Sequence, residues 1–178
     1  MTSVPVLPGA VRVIPSATQP SLIRRAFDLE VQLEAGLKVL LRRWSIPMLR
    51  IALGLVFAAF GILKVFPGVS PIEPLVLATW EKLSFGLVTG QTAMVLTAAM
   101  EVIAGLLLIA GGGFARVGLV VLAVTFIGIL SPIVLLPQEV FAATGPTLIG
   151  QYIFKDAVLI AAALVVASRV LRGPAPRS

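Results

Sequence analysis

The sequence predicts an all-α membrane protein: a polytopic four-helix bundle preceded by an amphipathic helix lying at the membrane surface. Three observations predict it. Of 178 residues, 58% are hydrophobic and only 12% are charged, whereas soluble domains are near half apolar and about a quarter charged. The apolar residues fall into four runs, at about 46–66, 92–112, 114–136 and 152–171, each close to the ~20 residues that cross a bilayer. None of the runs has the ~10-residue polar–apolar alternation of a membrane β-barrel strand; each is continuous Ala, Leu, Val, Ile and Gly.

The elements follow in order. Residues 1–20 carry Pro5, Pro8, Pro15 and Pro20 with no compact apolar core, which predicts a disordered arm, no cleaved signal, and a first span that serves as its own insertion signal. Over 21–44, Leu22, Ala26, Leu29, Leu33, Leu37, Leu40 and Trp44 recur at helical spacing. Ser21 is placed to cap this helix, and Glu34 with Lys38 forms an i,i+4 pair. Arg24, Arg25, Lys38, Arg42 and Arg43 flank the stripe, so the helix suits the headgroup layer; the alternative is packing on the bundle or a partner. The four-span domain then occupies 45–171, and the tail 172–178 is expected to be disordered. Pro67, Pro71 and Pro74 stop span one. Glu73–Leu83 reads as a short outer helix with Trp80 at the interface. Gly111-Gly112-Gly113 is a tight inner turn, lacking the strand and lysine of a phosphate-binding loop. Ser131-Pro132 should kink span three.

Charge gives orientation. With a cytoplasmic N-terminus, 11 of the 14 Lys and Arg fall inside, and only Lys64, Lys82 and Lys155 fall outside. That obeys the positive-inside rule, places both termini in the cytoplasm, and assigns the net charge of +6 to the anionic inner leaflet rather than to nucleic acid. The chain has no Cys and no His, which excludes structural disulfides, Cys-ligated clusters and His-ligated haem, and most zinc and copper sites.

Ionisable residues inside spans are rare and are functional candidates. Glu101 stands mid-span with Thr97 and Gly105 on its face; holding an acid there costs about 3 kcal/mol on insertion scales, so it is protonated, paired or hydrated. Arg50, Gly54, Gly61 and Lys64 share one face of span one. Small residues there suit close helix contact. Arg50 is expected to snorkel to the inner headgroups; Lys64 either snorkels outward or joins Glu101. In span four, Lys155 and Asp156 diverge by ~100°. Lys155 continues Gln151, Leu159 and Ala162, and Asp156 continues Tyr152, Ile160 and Ala163. Lys64, Glu101, Lys155 and Asp156 can thus form a net-neutral cluster, with Tyr152 beside it and Arg50, Gln151 and Thr97 in support. The alternatives are a structural ion pair at Glu101 and a first-turn cap at Asp156.

These residues resemble the DoxX-like family of small bacterial four-helix membrane proteins. The likeness covers about Trp44 to Leu171, through LRIALGLVFAAFGILKVFPGVSP, MEVIAGLLLI, GILSPIVLLP and TLIGQYIFKDAVLIAAALVV. Where relatives often carry Asn after the span-four lysine, this chain has Asp156. The resemblance implies a multi-pass protein of the bacterial inner membrane, associated with redox or sulfur metabolism. Two functions are expected to compete. One is an accessory or anchoring subunit for a membrane redox partner, with no redox centre of its own. The other is a handler of a quinone, lipid headgroup or small anion at the polar cluster. Transport ranks lower, because four helices are few and no inverted repeat is evident. It would require a homo-oligomer. No nucleophile–base constellation or catalytic residue stands out, so an independent enzyme ranks last.

Overall fold

The computed structural model describes residues 22–171. The arm 1–20, the Ser21 cap, the tail 172–178 and the side chains of Leu22, Arg24, Arg25 and Ala26 lie outside the described residues. The described chain is mostly helical. Helix α1 runs Leu22–Leu63, α2 Glu73–Leu83, α3 Gly90–Ala110, α4 Gly112–Leu130, α5 Pro132–Leu135 and α6 Pro137–Val140. A two-residue hairpin follows, β1 (Phe141–Ala142) antiparallel to β2 (Gly145–Pro146), and then α7, Leu148–Val170.

Three stretches are long and apolar enough to cross a membrane: Leu29–Leu63, Gly90–Ala110 and Gly112–Leu135. Helix α7, the expected fourth span, is not among them; it carries Lys155, Asp156 and Arg169. Along the three stretches, large apolar side chains point outward: Ile127 is 71% exposed and Val134 80%. Such surfaces are rare on soluble monomers and are what lipid contact requires.

The residues expected as a surface helix and those expected as span one are both in α1, which continues through Pro47. Proline removes one backbone donor, and the helix accommodates it, as membrane helices commonly do. Up to Leu40 the chain is one unit, and from Leu41 onward another. In the first, Leu29, Leu33, Leu37 and Leu40 are exposed.

Helix α1 stops at Leu63, short of the expected Phe66. The next amides close short turns, Lys64 N–H to Gly61 O and Val65 N–H to Ile62 O, and Pro67 ends the run. Gly54 and Gly61 set α1 directly on α3. A Cβ at Gly54 would stand 2.6 Å from the Gly105 carbonyl oxygen, and one at Gly61 would stand 2.9 Å from the Glu101 Cβ, so only glycine permits this approach. The turn between α3 and α4 uses Gly111 and Gly112 at φ 77° and 55°, left-handed conformations that favour glycine.

Span three is divided but nearly continuous. Ser131 keeps helical dihedrals, φ −57° and ψ −32°, between α4 and α5. Pro132 lacks the N–H that would bond the Gly128 carbonyl, and the Ser131 hydroxyl donates to that oxygen instead, at 2.7 Å. At the start of α7, the Thr147 hydroxyl accepts from Gly150 N–H, while Gly150 packs so closely on the Val140 carbonyl that a side chain has no room.

Two apolar layers result. One joins Leu53, Phe57, Leu108, Leu122, Phe126 and Val166, with Phe57 and Phe126 edge to face at 5.4 Å. The other joins Leu75, Leu136, Val140 and Ile153, from α2, α6, α7 and the residue between α5 and α6.

Candidate functional site

Between these layers lies a cavity of about 540 Å³, walled mainly by apolar side chains from α1, α2, α3, α4 and α7. Phe57 borders it from one layer, and Leu75 and Ile153 border it from the other.

Its polar centre is an ion pair. Lys64 Nζ donates to Glu101 Oε2 at 2.6 Å, and both side chains are almost fully buried. The local fold explains the meeting. Glu101 is eleven residues into α3, about 16 Å from its start at 1.5 Å per residue. Because Gly61 rests on Ala98 and Glu101, α1 ends beside the middle of α3, and the first residue after the helix delivers its ammonium to the carboxylate. Helix α2 then covers the remaining half of α3: Trp80 Nε1 donates to Thr97 Oγ1 at 2.8 Å. Two contacts tie this cover down. Gly68 N–H donates to the Glu73 carboxylate at 2.7 Å, and Gln91 Nε2 donates to the Val65 carbonyl at 2.9 Å.

Of the two places expected for Lys64, at the outer headgroups or with Glu101, the structure shows the second. The Trp80 indole, expected at the interface, gives its N–H to Thr97. Thr97 therefore supports α2 rather than Glu101, and its own hydroxyl donates to the Ala93 carbonyl at 2.9 Å.

The span-four doublet is divided as its ~100° divergence requires. Asp156, Lys155 and Tyr152 all border the cavity. Asp156 is half-buried. Lys155 and Tyr152 are exposed, and the Lys155 ammonium sits 5.2 Å from the Tyr152 ring centroid, within cation–π range. Among the described residues, Lys64–Glu101 is the one ion pair within 4.0 Å, so the expected cluster contains one direct contact and two charges that share the cavity without touching the pair. Gln151 is exposed and does not border the cavity. Arg50 is far along α1: its guanidinium lies against Gly111, at the C-terminus of α3, where the helix dipole favours a cation. Arg116 acts similarly on α7, donating from Nε to the Val170 carbonyl at 3.0 Å.

Thr79, Thr125 and Ser131, which were not among the expected site residues, also border the cavity. Each hydroxyl bonds within its own helical segment: Thr79 to Leu75 O at 2.6 Å, Thr125 to Val121 O at 2.9 Å, and Ser131 to Gly128 O. Threonines at i−4 spacing from a carbonyl satisfy themselves, so they leave no signal beyond their position.

No curated protein and no solved structure matches the chain. The DoxX family model matches residues 46–135, half of the 178 residues and the part that contains Lys64 and Glu101. With its apolar helices, the chain is a membrane protein belonging to the DoxX family.

Proposed function

We propose that this protein holds an amphiphilic molecule within the bilayer, in the cavity beside the Lys64–Glu101 pair. The carrying observation is the cavity itself: about 540 Å³ of mainly apolar space with ionisable side chains inside it. Packed interiors leave few voids larger than a water molecule, whereas small-molecule sites are typically about 300–1,000 Å³, apolar, with a few placed polar groups. A lipid or a quinone-class molecule has this profile. A small free anion suits it less, because the buried ammonium is already matched by Glu101. The bundle that encloses the site is a four-span one in the bacterial inner membrane with both termini cytoplasmic. In it, α7 crosses with Asp156 turned to the cavity. Its 23 residues reach about 34 Å at 1.5 Å per residue.

Gly128 supplies the test. It borders the cavity, and a Cβ there would meet nothing within 4 Å. Gly128→Leu should fill the space without a clash and remove a helix-interior glycine, which in water is worth about 1 kcal/mol. The expected outcome is a protein as heat-stable as the parent whose co-purifying ligand, read by native mass spectrometry from mild detergent, is lost. Retention of the same bound mass would refute the site.

A second reading has its own support. The exposed stripe Leu29, Leu33, Leu37 and Leu40, with Lys38, Arg42 and Arg43 near it, suits a subunit that rests on the anionic membrane surface while anchoring a redox partner. Cross-linking from a photoreactive residue at Leu33 separates the two contacts. Adducts to lipid alone would leave no role for an anchored protein.

A further inference from the structure

We infer that the cavity takes an apolar molecule carrying one protonated amine, seated on the Asp156 carboxylate; the inference rests on the binding reading above. It follows from which polar atoms remain uncommitted. Lys64 and Glu101 are engaged with each other. The hydroxyls of Thr79, Thr97, Thr125 and Ser131 donate to carbonyls of their own helical segments, and the Trp80 N–H is given to Thr97. Lys155 and Tyr152 stand at the exposed rim, ammonium over ring. Behind that rim the ionisable group left without a partner is Asp156, half-buried on the cavity wall, with no cation within 4.0 Å among the described residues. A carboxylate offers acceptors only. Seated on Asp156, a head that also only accepts, such as a quinone carbonyl or a fatty carboxylate, would set its oxygen against this one. A protonated amine supplies both the missing charge and the donor, and charge-assisted hydrogen bonds are the strong ones.

The shared chemistry has two sources, a membrane-dissolved amine and the ammonium of a lipid headgroup. Trp80 borders the cavity and is one of two tryptophans, so Trp44→Phe leaves it as the single fluorophore. Bromine quenches indole fluorescence at contact. In detergent, full-length W44F protein is titrated with 9,10-dibromostearylamine, 9,10-dibromostearyl alcohol and 9,10-dibromostearic acid. The amine should quench at concentrations about tenfold or more below the other two, the ratio expected for one charge-assisted bond. Asp156→Asn should abolish that preference, bringing amine quenching down to the level of the alcohol. Equal quenching by all three, preference for the acid, or an amine preference that survives Asp156→Asn would overturn the head assignment and leave the cavity intact. Quenching by none of them would remove the binding reading as well. In nanodiscs, dibrominated phosphatidylethanolamine is compared with dibrominated phosphatidylcholine. Asp156-dependent quenching by the ethanolamine lipid identifies a headgroup as the source; its absence, with the free amine active, identifies a dissolved amine.

Discussion

Glu101 and Lys64 satisfy each other at a depth where neither tolerates isolation. Removing one partner of a buried pair strands the other charge, at about 3–5 kcal/mol in soluble proteins, whereas replacing both by apolar groups is often neutral. Glu101→Leu should therefore lower the thermal midpoint markedly, and Lys64→Met/Glu101→Leu should recover most of the loss, read by melting in detergent. A double variant no better than the single would show that the pair does not act as a unit. The acid was legible in the sequence because a charge in an apolar run declares itself. Its partner was legible only as a face: spacing placed Lys64 beside Gly61, but not the stop of α1 at Leu63 that buries the ammonium. Asp156 and Lys155 were separable by their angular divergence alone. The Trp80–Thr97 bond was not legible, because it depends on how α2 folds back over α3.

At the scale of elements, the glycines divide into two kinds. Gly54 and Gly105 bring α1 and α3 into backbone contact, whereas Gly128 faces space. Gly54→Ile should force the helices apart and cost about 1–3 kcal/mol, as overpacking does, whereas Gly128→Leu should be tolerated. Parallel unfolding curves for the two variants check the contrast; equal losses would contradict it. Composition announced the small residues but gave no way to rank them, since both kinds read alike along a chain. The Glu73–Leu83 helix and the glycine turn were read from local punctuation, which is local physics. Where a kink was expected, span three is divided at Ser131 into two helices, and the Ser131 hydroxyl stands in for the amide that Pro132 lacks. The β1–β2 hairpin, two residues a side, had no periodicity to reveal it.

For the whole molecule, the proposed orientation follows from charge: 11 of the 14 basic residues on one side. The chain is free of cysteine, so single cysteines report topology without background. In intact cells, Glu139→Cys, exposed after α6 begins, should react with a membrane-impermeant maleimide. Gly113→Cys, exposed beside the α3–α4 turn, should react only after permeabilisation. The reverse pattern would invert the protein. Apolar runs alone suggested four crossings of equal standing, but three stretches meet the criteria of length and hydropathy outright. Helix α7 carries Lys155 and Asp156 in its first half, and both border the cavity.

The two halves of the central pair are 37 residues apart in the chain. At the ~5–20 residues per second of synthesis, the ammonium leaves the ribosome about two to seven seconds before its carboxylate does. During that interval the nascent first segment carries an unmatched cation into the translocon. It must wait in a hydrated or chaperoned setting until α3 emerges, so the order of biogenesis is written into the position of one acid.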